Sequence, residues 1–400
     1  MKLANKKILL GMTGGIACYK VADLCRKLKA QGADITVVMT EAAQSFITPT
    51  TMQALSGNPV HTEILDSSMA DSMSHIHLSR ECDLVLIAPC TANFMAKLAH
   101  GIADDLLSSL CLASNKDIAI VPSMNSFMWM NPATQKNHFE VLSNGIHVWG
   151  PDSGSQACGE TGVGRMIEPE DILDEVVAYF KPDILDGTKI LITSGPTHEE
   201  IDPVRYIGNR SSGQTGYELA KSARDFGAEV KLISGPTCLR APYGIEFEEV
   251  TTAKEMHSKV MQVASEYDIF ISVAAVADWY LPNPAKQKIK KEVGVDIWSP
   301  NWEFHKNPDI LAEVAALKDG PWCVGFAAET ENLEQYAKEK LERKGVPLLV
   351  GNLAQNVMGK ETTTLLLFDS NGVEKFDTLP KTKAADELII AIHKRFSKDA

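Results

Sequence analysis

Cys158 stands among four glycines, Gly154, Gly159, Gly162 and Gly164, in the stretch GSQACGETGVGR (154–165). An unperturbed thiol, with a pKa of about 8.5, is mostly protonated at neutral pH. Ala157 and Gly159 bring no positive charge to it and Glu160 opposes its ionisation, surroundings that suit a proton donor better than a nucleophile. The other reading is an ordinary surface-loop cysteine. Asn125, in PSMNSFMW (122–129), offers amide hydrogens to a carboxylate, or forms a turn. Gly11-Met12-Thr13-Gly14-Gly15 either lets backbone N–H groups approach a phosphate at a helix start or makes a tight strand-to-helix turn. It is not G-x-G-x-x-G, which weakens a dinucleotide reading. His75 and His77 read as one strand face, but no third ligand with metal spacing follows, so a metal centre is not favoured and any metal ligands stay unknown. Later, Lys286-Gln287-Lys288-Ile289-Lys290-Lys291 is a basic knot, and Lys340 and Lys344 are an i, i+4 pair. By default such a run is a solvated face. SGPTHEEIDPVRYIGNRSSGQTG (194–216) reads as one long donor-rich loop with Thr197, Arg205, Asn209, Arg210, Ser211 and Ser212, built for a phosphate or carboxylate.

These residues need elements to hold them. KILLG (7–11) reads as a strand, 16–31 as an amphipathic helix, and ITVVMT as the next strand. The pattern returns as KILIT (189–193), a helix over 214–226 and VKLIS, with GADITVV echoed by GAEVKLI. Further strands are expected at 83–89, 118–122 and 147–149, then at 269–275, 323–327 and 348–351. A hairpin is expected around Ser370-Asn371-Gly372, and a closing helix over 383–396. Continuous apolar strands alternating with helices predict an α/β chain of two doubly wound, Rossmann-like or flavodoxin-like three-layer domains with mainly parallel sheets. The boundary is expected near 186, within KPDILDGT, giving domains 1–186 and 187–400. Ligands then belong beyond the carboxyl ends of the strands.

The chain has 400 residues and a net charge of −13 with no long basic stripe, which argues against a nucleic-acid binder. Glycines 11, 14 and 15 break the N-terminal apolar stretch, and no apolar run approaches the roughly 18 residues a membrane span needs. The chain reads as cytoplasmic. Eight cysteines without a C-x-x-C pair imply reduced thiols, with Cys82, Cys90, Cys111, Cys238 and Cys323 read as core packing.

Taken together, the glycine loop, PCTAN (89–93), the complete P-x-M-N-x-x-M-W at 122–129 and the Cys158 segment resemble the flavin-containing cysteine decarboxylases, in particular the phosphopantothenoylcysteine decarboxylase half of the bifunctional coenzyme A enzymes, over residues 5–180. The second half, over about 188–395, resembles the phosphopantothenate–cysteine ligase half of the same family. There D-P-V-R-Y-I-x-N-x-S-S-G is matched at 202–213, A-A-V-A-D at 274–278, K-I-K-K at 288–291, K-N-P-D-I at 306–310 and G-F-A-A-E-T at 325–330.

The first resemblance implies FMN, which oxidises the substrate thiol to a thioaldehyde so that losing CO₂ leaves a delocalised ene-thiolate; returned hydride and a proton complete a redox-neutral cycle. It implies Cys158 as that proton donor, on a glycine-flanked flap, His75 as base or orienter in the oxidation, and Asn125 on the substrate carboxylate. Flavin contacts are expected from Thr13, Gly14, Gly15, Thr40, Phe46, Thr91, Asn93, Asp105, Ser108 and Met124. His77 has no such match. The second resemblance implies that the carboxylate of 4'-phosphopantothenate attacks the α-phosphate of CTP, and that cysteine then attacks the acyl-cytidylate. Lys288, Lys340 and Lys344 would neutralise the triphosphate, with Mg²⁺ carried on the phosphates. Asp278 would orient the ribose or nucleotide, and Ser272, Val273, Ala274, Asn307, Pro308, Asp309 and Ile310 would surround the nucleotide against Phe326. Asn209 and Arg205 would serve the acyl intermediate. The product, 4'-phosphopantothenoylcysteine, is the decarboxylase substrate. The resemblance further implies decarboxylase trimers and ligase dimers, closing as a homo-oligomeric dodecamer. Two rivals stand beside it: a flavin reductase fused to a nucleotide-binding domain, and a non-catalytic flavin or nucleotide sensor.

Overall fold

The computed structural model describes residues 1–63, 74–157, 159–290, 302–329, 332–353 and 362–399. The chain divides into two units, Met1–Phe180 and Lys181–Ala400. Among the described residues no helix is long and apolar enough to cross a membrane.

In the first unit the order is β1 (Lys7–Met12), α1 (Cys18–Ala30), β2 (Asp34–Met39), α2 (Glu41–Gln44), α3 (Pro49–Ser56), β3 (Val60–His61), α4 (Ser74–Glu81), β4 (Leu84–Cys90), α5 (Ala92–His100), α6 (Leu106–Ala113), β5 (Ile118–Pro122), α7 (Ser126–Met130), α8 (Pro132–Ser143), β6 (His147–Val148), β7 (Asp152–Ser155), β8 (Thr161–Arg165) and α9 (Pro169–Tyr179). Six strands form one parallel sheet in the order 3-2-1-4-5-6, while β7 and β8 pair antiparallel as a separate hairpin. All seven residues of β4 are buried, as a strand covered on both faces requires. Helix α1 buries Cys18, Val21, Leu24, Cys25 and Leu28, one face at helical spacing.

The second unit runs β9 (Lys189–Ser194), β10 (His198–Asp202), β11 (Arg205–Gly208), α10 (Gln214–Asp225), β12 (Glu229–Ser234), β13 (Glu246–Glu249), α11 (Ala253–Val263), β14 (Ile269–Ser272), β15 (Trp279–Tyr280), β16 (His305–Lys306), α12 (Ile310–Ala315), β17 (Trp322–Glu329), α13 (Leu333–Lys344), β18 (Leu348–Leu353), β19 (Thr362–Thr363), β20 (Leu366–Asp369), β21 (Gly372–Lys375), β22 (Leu379–Pro380) and α14 (Lys381–Asp399). Its eight-stranded sheet has the order 13-12-9-14-17-18-20-21, parallel from β13 to β18 and antiparallel over the last three. Helices α10 and α14 share one core layer with Leu219, Ala223, Leu388 and Ile392, and α11, α12 and α13 share the other with Met256, Leu311 and Ala337.

The echo between the halves is a repeated helix stop. Gly32 and Gly227 both take left-handed φ, +92° and +96°, which spares a side chain the Cβ clash there. Their N–H groups bond the carbonyls three residues back at 2.8 and 2.9 Å.

Four expectations are corrected. Residues 74–81 are helix and not strand, so positions 75 and 77 do not share a face as alternate strand positions do; the helical register shows instead in Leu78, which packs on the core. The 194–216 stretch is not one loop but contains the β10–β11 hairpin. Its turn is made by Asp202, whose Oδ1 accepts the N–H groups of Val204 and Arg205 at 2.8 and 2.9 Å, with Pro203 pre-setting the backbone. Strand β14 ends at Ser272, so 274–278 is loop. Cys238 is exposed, because it lies in the loop between β12 and β13 rather than in a strand; Cys82, Cys90, Cys111 and Cys323 are buried.

Phe270 is fully buried at the middle of the second sheet. Phe270→Ala is expected to cost about 3–5 kcal/mol, read as a lower denaturation midpoint of the second unit in a thermal or urea melt of the whole chain.

Candidate functional sites

Each sheet reverses its winding direction once, between β1 and β4 in the first unit and between β9 and β14 in the second. Each unit carries a cavity at that switch point, where crossovers on opposite faces leave a crevice.

The first cavity, of about 1050 Å³, opens between the loop after β1 and the loop after β4. Thr13 ties the two loops together: its hydroxyl donates to Pro89 O at 2.7 Å and accepts the Thr91 N–H at 3.1 Å. Thr91 caps α5 and Thr40 caps α2. Gly14 is required by proximity, since a Cβ there would lie 2.5 Å from the Cβ of Ala42. At Gly15 the nearest atoms to a Cβ are 3.8 and 3.9 Å away, so that position opens onto the cavity. The start of α1, free of acidic residues in its first turn, faces the same space. Thr13, Gly14, Gly15, Thr40, Thr91 and Asn93 therefore come together, as do Met124 and Asp105. Phe46 and Ser108 do not line the cavity. Phe46 is exposed, and Ser108 is buried in a reciprocal capping box with Asp105 at the head of α6.

The glycine-rich segment forms the β7–β8 hairpin, with residues 156, 157, 159 and 160 between its strands. Cys158 itself, and the side chain of His75, lie outside the described residues. The hairpin is bound to the 124–126 segment. Gly164 O accepts the Met124 N–H at 2.9 Å, and Gln156 Oε1 accepts the Ser126 N–H at 3.1 Å. The Asn125 amide donates to the Glu160 carboxylate. The glycines serve this packing: a Cβ on Gly164, at φ +137°, would lie 2.6 Å from Met124 O, and one on Gly162 would lie 2.9 Å from the Ser126 Cβ. Glu160 is read from the sequence only as a charge opposing ionisation of the cysteine, and Gln156 has no sequence reading, although both flank it. Lys20, also unremarked, lines the cavity paired to Glu168 at 2.9 Å. Burial pushes other thiols up, Cys25 to about 11 and Cys323 to about 12, which keeps them protonated.

The second cavity, of about 620 Å³, lies beyond β9, β14, β17 and β18. Backbones again approach closely: a Cβ on Gly213 would lie 2.8 Å from Thr237 Cγ2, and one on Gly195 would lie 2.8 Å from Gly235 O. Asn209 Nδ2 donates to the carbonyls of Ala275 and Val276 at 3.0 and 3.3 Å, lacing down the loop after β14. Asn307 Nδ2 donates to Ala277 O at 2.8 Å, while its buried Oδ1 has no partner among the described residues. Lys340 Nζ donates to Phe326 O at 2.8 Å, and Lys344 pairs with Asp309, which caps α12. Burial pulls the Lys344 pKa down, helped by the charge of Lys306 and opposed by Asp278. Ser272, Val273, Ala274, Asp278, Pro308 and Ile310 complete the expected set here.

Arg205 and Lys288 lie outside this lining. Lys288 is exposed. Arg205 donates to Asp202 Oδ2 through Nε at 3.0 Å and to Ile289 O through Nη2 at 2.9 Å. The Ile289 N–H donates back to Asp202 Oδ2 at 3.1 Å. The Asp202 carboxyl is held well below the usual carboxylate range, first by the Arg205 guanidinium and then by the backbone N–H groups aimed at it. Lys306, Lys381 and Asn352 also line the cavity; no motif had marked Lys381 or Asn352.

Fold and sites define a flavoprotein unit in tandem with a second α/β unit. Residues 1–181 match the Flavoprotein family, and residues 185–396 match the DNA/pantothenate metabolism flavoprotein C-terminal domain. The coenzyme A biosynthesis bifunctional protein CoaBC of Vibrio cholerae serotype O1 is 46% identical over 98% of this chain and 99% of its own length. That of Escherichia coli K12 is 45% identical over 98% and 97%, and that of Bacillus subtilis 40% identical over 92% of each. Among solved structures, the C-terminal domain of a CoaBC protein aligns with 54% of this chain and 99% of its own, at 34% identity and a TM-score of 0.47. A PPC decarboxylase mutant complexed with pantothenoylaminoethenethiol aligns with 44% and 98%, at 28% identity and a TM-score of 0.40. The chain belongs to the family of coenzyme A biosynthesis bifunctional proteins, which join a phosphopantothenoylcysteine decarboxylase and a phosphopantothenate–cysteine ligase.

Two outcomes follow from these geometries. Gly164→Ala should displace the hairpin from Met124 and cut CO₂ release about tenfold or more, with the ligase reaction intact, in parallel assays of the two half-activities. The Asp202 tether belongs to the ionised carboxylate: it is complete above the unfolded pKa of about 4 and is lost as pH falls through the lower folded value. Asp202→Asn should therefore speed hydrogen exchange at the Ile289 amide at neutral pH, while in the parent chain that amide stays protected until strongly acid pH.

Proposed function

We propose that the first cavity holds FMN and that the β7–β8 hairpin brings Cys158 to a substrate bound against it. The observation that carries the reading is the hydrogen-bonded pairing of the two motifs, Asn125 with Glu160 and Ser126 with Gln156, beside a cavity with a phosphate-type floor. The residues fit the cofactor. The glycine loop and the acid-free start of α1 suit a phosphate, Thr13, Thr40 and Thr91 supply hydroxyls, and Phe94, Met124 and Met128 supply apolar wall. FMN, when bound, supplies reversible two-electron oxidation of the thiol-bearing carbon of phosphopantothenoylcysteine. Asn125 orients the carboxylate that leaves as CO₂. Its amide N–H already donates to the Glu160 carboxylate, the kind of partner a substrate carboxylate offers. Cys158 then protonates the ene-thiolate carbon, and the hydride taken up in the oxidation would return to the sulfur-bearing carbon to give 4'-phosphopantetheine; His75 serves the oxidation as base or orienter.

In the second cavity the 4'-phosphopantothenate carboxylate attacks the α-phosphorus of CTP. The acyl oxygen–phosphorus bond forms and pyrophosphate leaves. The cysteine amine then attacks the acyl carbon and expels CMP. Lys340 and Lys344, with Lys288 from the tethered 285–290 segment, offset the phosphate charge. Asn307 Oδ1, which has no partner among the described residues, suits the exocyclic amine of cytosine. Ser272–Ala274 and Pro308–Ile310 surround the nucleotide, Phe326 walls it and Asp278 faces the ribose. Asn209 and Arg205 serve the acyl intermediate. Mg²⁺ arrives on the nucleotide phosphates, held by their oxygens and water. The setting is cytoplasmic, and the assembly is a dodecamer of decarboxylase trimers and ligase dimers.

The test is the flavin spectrum of the purified protein with a coupled assay of phosphopantothenate, cysteine, and CTP or ATP. The expected result is a yellow protein that prefers CTP and releases CO₂. Cys158→Ser should cut phosphopantetheine formation at least about a hundredfold and accumulate the ene-thiol, with ligation preserved. A colourless protein, a preference for ATP or undiminished turnover by the serine variant would each overturn its part of the reading.

A further inference from the structure

The second cavity has two cationic ends. Lys306, Lys340 and Lys344 approach it from the α12–α13 side of the sheet. Lys381, the first residue of α14, approaches from the side shared with α10. Lys381 is 7% exposed, and its ammonium donates only to a neutral group, Gln214 Oε1 at 3.2 Å. Among the described residues it makes no ion pair. Burial pulls its pKa below the usual lysine value, and the one opposing charge is Glu218. On the same cavity lining, at the carboxyl end of β18, Asn352 is 8% exposed, and its Oδ1 has no hydrogen-bond partner among the described residues.

A buried charge without an ion pair and a buried acceptor without a donor are both costly. One ligand relieves both if it carries an anion and an N–H donor together. A phosphate relieves only the lysine and leaves Asn352 facing more negative charge. A free amino acid in its zwitterionic form relieves both.

We infer that Lys381 and Asn352 form the subsite for the cysteine nucleophile, Lys381 pairing with its carboxylate and Asn352 Oδ1 accepting from its amine. The inference rests on the ligase reading above and extends it to the third reactant. In the coupling step the amine nitrogen bonds the acyl carbon, and the acyl carbon–oxygen bond breaks with its electron pair on CMP. The two protons shed between ammonium and amide pass to solvent. Asn352 positions the nitrogen and takes no proton.

The experiment compares the whole chain with Lys381→Gln, Lys381→Arg and Asn352→Leu. Cysteine-free pyrophosphate release from CTP and phosphopantothenate reports folding and the first half-reaction. With that release retained, the KM for cysteine should rise at least tenfold in Lys381→Gln and Asn352→Leu, with partial rescue in Lys381→Arg. Cysteamine, which lacks the carboxylate, gives the second readout: the parent's preference for cysteine over cysteamine should collapse in Lys381→Gln and persist in Asn352→Leu. An unchanged KM for cysteine overturns the inference. So does a loss of pyrophosphate release in step with coupling, which assigns Lys381 to a phosphate. Absence of pyrophosphate release in the parent chain would instead overturn the ligase reading beneath it.

Discussion

At the carboxyl edge of each sheet, backbones must come closer than a methyl group allows, and both cavities depend on it. Gly14 lies against Ala42, Gly164 against the carbonyl of Met124, Gly195 against the carbonyl of Gly235, and Gly213 against Thr237. A doubly wound sheet opens a crevice wherever crossovers turn to opposite faces. The glycines decide how tightly its walls are drawn together. A methyl at any of them would push apart two loops that both line, or brace, the site.

Charge is managed differently in the two crevices. In the first, Lys20 is matched to Glu168, and Lys97 to Asp104 and Asp105, while the threonine hydroxyls cap helices or bridge loops. Apart from the buried Arg165 Nε, which has no partner among the described residues, the lysines of this lining are paired before anything binds, which suits a resident ligand recognised through backbone and hydroxyl groups. In the second, Lys381 makes no ion pair among the described residues, and there Asn307 and Asn352 each keep a buried oxygen without a donor. Buried polar groups left in this state cost stability. They make sense for reactants that enter, satisfy them and leave with each turnover.

Much of this was legible in the sequence because it rests on period and punctuation. The apolar runs of β1, β4, β9 and β12, and the Gly-Ala stops at 32 and 227, lie where hydrophobic spacing and left-handed turns require. The glycine loop and the 122–129 segment were also readable as one site, since both follow buried strands. Three features resisted for physical reasons. The His75 segment has a two-residue alternation too short to separate from a helix. The β10–β11 hairpin depends on a side-chain turn at Asp202 inside a stretch whose composition says loop. Lys381 and Asn352 sit in ordinary helix-start and strand-end contexts, so only burial without a partner distinguishes them. The glycines around Cys158 read as flexibility from the sequence, whereas Gly162 and Gly164 serve close packing against 124–126.

The two units share more than strand order. Asp83 accepts the Lys7 N–H at 2.8 Å, and Asp268 accepts the Lys189 N–H at the same distance, each carboxylate preceding the strand that flanks the switch point. These repeated bonds anchor the amino ends of β1 and β9, at the edge opposite the chemistry. What separates a redox decarboxylation from a nucleotide-driven ligation is therefore carried by the other edge. There one unit extends a glycine hairpin over 152–165, and the other inserts β10–β11 and its tether to Ile289. The scaffold fixes where a ligand sits, and the inserted hairpins decide which groups reach it. A fold-level match alone could not have separated the two activities.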